Sequence, residues 1–133
     1  NDRTQRSSPI QVPGTNWAQV CMYHRLAVAT KTDGTLWAWG NNGNGELGQN
    51  NEAQYSSPVQ IPGTTWPTEY GKLVMQYRTM AIKTDGTLWA WGYNNMGQLG
   101  HNDIVRRSSP VQVPGSWEKI SAADNSALSI KNI

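Results

Sequence analysis

A chain of 133 residues has room for one ordinary domain, and a formal net charge of +2 gives no strong pull toward nucleic acid or an anionic membrane. Seven Trp and no Phe supply the large apolar groups, while 13 Gly and 7 Pro punctuate the chain, which excludes a disordered polymer and points to a turn-rich β protein. Cys21 stands alone, so neither an internal disulfide nor a thiolate metal site can form, and no apolar run is long enough for a membrane-spanning helix.

The first recognisable segment is Ser7–Gly14, in which Ile10-Gln11-Val12 alternates between two prolines and reads as a short edge strand. Trp17 follows, and then the mostly apolar run 20–30, read as a second strand. The decapeptide Lys31-Thr32-Asp33-Gly34-Thr35-Leu36-Trp37-Ala38-Trp39-Gly40 comes next. Its Asp-Gly supplies a hairpin turn that needs positive φ at Gly34, and Thr35–Trp39 is the strand leaving it. Leu36 and Ala38 face one side of that strand, Trp37 and Trp39 the other. Neither side is polar, so the strand is expected to be covered on both. The Asn- and Gly-rich stretch 40–48 then reads as a tight loop with Leu47 tucked inward as its plug.

The whole pattern then returns. Ser56–Gly63 repeats the first segment, Trp66 follows, and Pro67-Thr68-Glu69 is an insertion before the next apolar run. The ten letters of the decapeptide recur unchanged from Lys83 to Gly92, with Gly86, Trp89 and Trp91 in the places of Gly34, Trp37 and Trp39, and Leu99 plugs the second loop. Trp89→Ala is expected to be among the most damaging single changes. Ser108–Gly115, Trp117 and the run 120–130 begin a third copy. No segment sustains a helical period.

Repetition at ~50 residues, with about four strands per unit, is the pattern of blades in an all-β propeller. The units are placed at 7–49 and 56–100, with 108–133 the first half of another. Two and a half blades do not close a ring. Within the partial propeller 1–133, the end blades are therefore expected to abut further blades of the same or of neighbouring chains.

The string Trp-Gly-x-Asn-x-x-Gly-[Glu/Gln]-Leu-Gly, at 39–48 and 91–100, resembles the hallmark of the regulator of chromosome condensation repeat family. The resemblance implies a β-propeller, usually of seven blades. The spelling of the decapeptide is more similar to bacterial and bacteriophage members than to the eukaryotic founder. It implies a non-catalytic protein-interaction module, a segment of a larger surface or virion structural protein, located in a virion or at the cell surface. The founder implies a second function, nucleotide exchange on a small GTPase through a loop inserted between blades; Pro67-Thr68-Glu69 is the only insertion here. A third, inhibition of an enzyme, is implied by secreted bacterial members.

Residues that could carry chemistry have structural explanations. Gly43-Asn44-Gly45-Glu46-Leu47-Gly48 spells a dinucleotide fingerprint, but no helix follows to take a pyrophosphate, and the second copy has Asn95 in place of Gly43. His24, read as a strand residue with a satisfied ring, and His101 occupy unrelated places. Asp33 and Asp85 belong to turns, and Glu46 has Gln98 as its counterpart. No catalytic, metal or cofactor residue is therefore assigned. A partner would be read by what differs between units: Tyr23 and Arg25, Tyr77 and Arg78, Met96, and Arg106 with Arg107, the last two otherwise a solvated loop edge. No nucleic acid partner is expected. The invariant Gly34, Gly86, Trp37, Trp39, Trp89, Trp91, Leu47 and Leu99 are assigned to structure.

Overall fold

The computed structural model describes residues 3–123 and 126–131. It is all-β: among the described residues there are ten strands and no helix. Strands β1 (Trp17–Tyr23), β2 (Leu26–Lys31), β3 (Leu36–Gly40) and β4 (Tyr55–Ile61) form one sheet in chain order, and β5 (Leu73–Met75), β6 (Arg78–Ile82), β7 (Leu88–Gly92) and β8 (Arg107–Val113) form a second. A third pair joins β9 (Trp117–Ala123) to β10 (Ser126–Lys131). Every pairing is antiparallel. The four-stranded sheets are blades of a β-propeller, with β1, β5 and β9 in successive contact along its inner side.

The sheets are out of phase with the sequence units. The Ser-Ser-Pro segments at 56 and 108 extend the preceding sheet as β4 and β8, pairing with the decapeptide strand before them, so the sheets run 17–61 and 73–113 rather than 7–49 and 56–100. Proline explains the position: Pro58 and Pro110 lack an N–H for a ladder, and β4 and β8 have a strand on one side only. The earliest Ser-Ser-Pro copy has no such partner strand among the described residues, and its Ile10 is exposed.

Leu26–Thr30 of β2 and Thr79–Ile82 of β6 are continuous apolar or small residues because both faces are covered, and every residue of β6, Arg78 included, is buried. The loops after β3 and β7 hold the sheets together. Asn42 sits fully buried at the root of its loop. Its Oδ1 accepts from the Leu47 backbone N–H at 2.9 Å, and its Nδ2 donates to the carbonyls of Asn51 and Ala53, each at 2.9 Å. Asn94 makes the same set with Leu99, Asp103 and Val105. Pinned in this way, Leu47 joins one buried cluster with Val28, Leu36, Ala38 and Ile61 of the first sheet and Trp66, Ala81 and Trp91. Leu99 joins Met80, Leu88, Val113 and Ile120 on the far side of the second sheet.

The paired tryptophans are not all alike. Trp37 and Trp89 are half-buried, each donating Nε1–H to the threonine two residues back at 2.9 Å. Trp91 is 0% exposed and donates to the Glu46 carbonyl at 2.8 Å, whereas Trp39 is only half-buried. The expected cover on both faces therefore holds at Trp91 and fails at Trp39, because the loop 43–48 lies on the second sheet and, among the described residues, no equivalent loop lies on the first.

Candidate functional site

In a four-stranded meander the β1–β2 hairpin and the β3–β4 connection leave the sheet at the same end, and the β2–β3 turn leaves at the other. Residues 23–25, 76–77, 41–54 and 93–106 consequently share one end, called here the loop end. The Asp-Gly turns and the 62–72 link share the opposite, turn end. Apart from the 67–69 insertion, the segments that vary between the units are thus gathered on one face.

At the centre of that face four rings from two sheets meet. Tyr23 pairs with Leu26, which leaves a two-residue turn of His24 and Arg25, with His24 at φ 50°. That left-handed conformation costs a non-glycine residue, and it stands the imidazole against its neighbours. His24 lies edge-on to Tyr23 at 4.4 Å and stacks on Tyr77 at 5.7 Å with planes 27° apart. Tyr23 meets Tyr77 at 5.1 Å, and Tyr77 meets Tyr93 at 6.3 Å. Tyr77 is 40% exposed, and His24 and Arg25 are exposed beside it. The cluster is an amphipathic aromatic surface with a guanidinium at its edge.

Of the residues assigned to a partner, Tyr23, Arg25 and Tyr77 come together here. Met96 projects from the neighbouring loop, 71% exposed. Arg106 donates to the Gly43 carbonyl at 3.3 Å and pairs with Glu52 at 3.7 Å, bridging the two loops. Arg107 pairs with Asp103, whose carboxyl is held below its ordinary range first by the Val105 backbone N–H and then by the Arg107 charge. Arg78 is a correction. It is 1% exposed, its basicity lowered by desolvation, because it starts β6 beside Thr79, where the 43–48 loop docks through Thr79 Oγ1 and the Glu46 carbonyl at 3.0 Å. A partner cannot reach its guanidinium.

His24 is a correction: expected as a strand residue with a satisfied ring, it is an exposed residue of the β1–β2 turn, and Tyr93 is not singled out by the sequence. Tyr93 replaces Asn41 between the two aligned loops, so the comparison that found Met96 contained the signal. His24 gives no local sign, since its role depends on a positive φ and on the next sheet.

The glycine-rich loop is built for contact between sheets. A Cβ on Gly45 would stand 2.5 Å from the Ser108 Cα, and one on Gly48 would stand 2.9 Å from the Trp91 Nε1. Its glycines admit a neighbouring backbone where a fingerprint loop would admit phosphate. Among the described residues no three His, Cys, Asp or Glu side chains group as metal ligands, and no helix is long and apolar enough to cross a membrane.

Residues 33–67 and 85–130 match the family model for the regulator of chromosome condensation (RCC1) repeat. Human protein RCC2 is 33% identical over 94 residues, covering 70% of this chain and 18% of that protein. The Arabidopsis thaliana RCC1 domain-containing protein RUG3, mitochondrial, is 31% identical over 91 residues, covering 68% of this chain and 20% of its own length. The chain thus spans about a fifth of the length of these relatives. Among solved structures, human WBSCR16 superposes with a TM-score of 0.69 at 16% identity, over 86% of this chain and 30% of that one. Yeast RCC1 (Prp20) bound to Kap60 superposes with a TM-score of 0.65 at 19% identity, over 84% and 29%. At these identities the superpositions speak for the fold.

Proposed function

This chain belongs to the regulator of chromosome condensation repeat family, and from that premise we propose that it is a non-catalytic propeller module that holds a protein partner on its loop end. The observation that carries the reading is the Tyr23–His24–Tyr77–Tyr93 cluster, assembled from two blades at the end where the units differ. Tyrosine presents large contact area at small entropic cost, and aromatic and arginine side chains dominate interface energetics. The invariant letters are occupied in holding the sheets together. A protein also stands as partner in the yeast RCC1 complex, which contains Kap60. The relatives named above are human and plant proteins, so the finer placement in a bacterial or phage surface or virion protein draws no support from them.

Exchange on a small GTPase is a weaker reading for this chain. Its one insertion, 67–69, is tied to the turn end: the Gln19 side-chain amide donates to the carbonyls of Pro67 at 2.7 Å and Glu69 at 3.3 Å.

A photo-crosslinking amino acid at position 77 tests the proposal against one at Thr84, which is exposed at the turn end. In extract of the source cells, position 77 should give a discrete protein adduct that Tyr23→Ala abolishes, and position 84 should not. Equal labelling from both ends would sink the assignment.

A further inference from the structure

The two kinds of basic side chain are segregated. Among the residues whose side chains are described, the arginines stand at the loop end. Arg3 and Arg6 lie beside the start of β4, Arg25 in the β1–β2 turn, Arg106 and Arg107 at the start of β8, and Arg78 beneath the surface. The lysines stand at the turn end: Lys31 closes β2, Lys83 follows β6, Lys72 precedes β5, and Lys119 is in the first turn-end residues of β9. An ammonium serves either end as a source of charge. A guanidinium adds a planar fork that matches a carboxylate or phosphate with two parallel hydrogen bonds.

The acids of the loop end are already committed. Glu52 pairs with Arg106 and Asp103 with Arg107. Glu46 is folded inward onto the backbone N–H and side-chain amide of Asn44, at 2.9 and 2.8 Å. Arg25 is left exposed, with no ion pair among the described residues, at the edge of the aromatic cluster. We infer that the loop end takes an acidic segment of a partner protein, with a carboxylate on Arg25 and apolar or aromatic side chains on the Tyr23–His24–Tyr77 platform. This rests on the protein-binding reading above and names the chemistry of its partner. Carboxylate is favoured over the phosphate backbone of a nucleic acid because affinity for the latter grows with the number of phosphates neutralised. The chain's net charge is only +2, and two of the surface arginines are neutralised internally.

Fluorescence anisotropy with three labelled probes tests this: a twelve-residue peptide of alternating Glu and Tyr, its Lys-Tyr counterpart, and a twelve-nucleotide oligo(dT). The Glu-Tyr peptide should bind best, and Arg25→Ala should weaken it about tenfold, as loss of one charge-assisted pair does. Arg25→Lys, which keeps the charge but loses the fork, should recover only part of this. Tyr77→Ala should weaken binding comparably, and Lys119→Ala should leave it unchanged. Matching circular dichroism melts for the exposed-site variants establish that each is folded. Preference for the Lys-Tyr peptide with the same dependence on Tyr77 would overturn the acidic partner while leaving a protein partner in place. Preference for oligo(dT) would overturn both. Glu-Tyr binding indifferent to Arg25 and Tyr77, or no binding, would overturn the inference.

Discussion

The decapeptide is invariant because nearly every letter is used. Asp33 Oδ1 accepts from the Thr35 hydroxyl at 2.6 Å and its backbone N–H at 3.0 Å, and the Thr35 hydroxyl oxygen in turn accepts from Trp37 Nε1 at 2.9 Å. Lys31 places its ammonium 4.9 and 4.3 Å from the ring centroids of Trp17 and Trp37, and Lys83 lies 4.4 and 4.2 Å from those of Trp66 and Trp89. Gly34 and Gly86 share φ near 80°, yet their surroundings differ: a Cβ on Gly34 would stand 2.1 Å from the Thr64 carbonyl oxygen, and on Gly86 the nearest atom is 3.5 Å away. Gly34→Val should therefore lower the melting temperature clearly more than Gly86→Val, although both suffer from the strained backbone. Equal shifts would mean that the Thr64 contact is not made in solution.

Acid titration at the same residues has a definite sign. Asp33 and Asp85 have their carboxyls held below the ordinary range, first by the hydroxyls of Thr35 and Thr87. A depressed folded-state value contributes stability that is fully present above the unfolded value, about 4, and is lost as pH falls through the folded one. Melting temperature should thus decline below about pH 4. The double change Asp33→Asn with Asp85→Asn should flatten that decline while leaving the neutral-pH profile flat. An unchanged acid limb would place the sensitive carboxylates elsewhere.

At the scale of an element, the loop 41–54 matters more than any strand. It is a plug, a staple and a donor of the carbonyl that satisfies Trp91. Because Trp91 is wholly enclosed and Trp89 only half-buried, Trp91→Ala should cost about 3–5 kcal/mol, more than Trp39→Ala or Trp89→Ala, the last expected from the sequence to be among the most damaging changes. Urea unfolding of the three variants gives the order, and a Trp39→Ala loss as large as that of Trp91→Ala would contradict the difference in enclosure. The decapeptide strand, its Asp-Gly turn and its plug are legible from the letters because each is a local requirement, whereas the run 20–30, expected as one strand, folds back at His24-Arg25 as the ends of β1 and β2. Alternation gives the strand face, Asp-Gly gives the turn, and a lone Leu among Gly and Asn gives the plug. Which blade a strand joins was not legible, since Ser56–Ile61 suits an edge on either side and only pairing with Leu36–Ala38 decides it. The burial of Arg78 is illegible for a related reason: it comes from a neighbouring loop that no local pattern announces.

For the whole molecule, the contact between the two sheets shows what fits the open face of the first. On the second sheet the seat is filled: the Asn50 backbone N–H donates to the Ser108 carbonyl at 2.7 Å, Glu46 offers its carbonyl to Trp91, and Gly45 lies against Ser108. The corresponding place on the first sheet is a groove of about 250 Å³ lined by Arg25, Trp39, Asn41, Gln54, Tyr55 and Ser56. An apolar groove of about 500 Å³ continues from Trp39 past Val12, Val20, Met22 and Tyr70. Since Trp39 and Ser56 stand where Trp91 and Ser108 stand in the filled seat, a loop of the Gly-x-Gly-Glu-Leu-Gly kind from a further blade, in the same or a neighbouring chain, is the expected occupant of that part of the groove, leaving Arg25 accessible as its register counterpart Tyr77 is left 40% exposed beside the filled seat. Leaving such a face wet forfeits about 25 cal/mol per Å² of apolar area, and patches of this kind drive association. Residues 1–133 in isolation should therefore associate with rising concentration, and Trp39→Glu, which puts a charge where the indole would be covered, should reduce association without unfolding the sheets. Sedimentation showing a cooperative monomer at all concentrations, unaltered by Trp39→Glu, would mean that the first sheet ends the propeller and needs no neighbour.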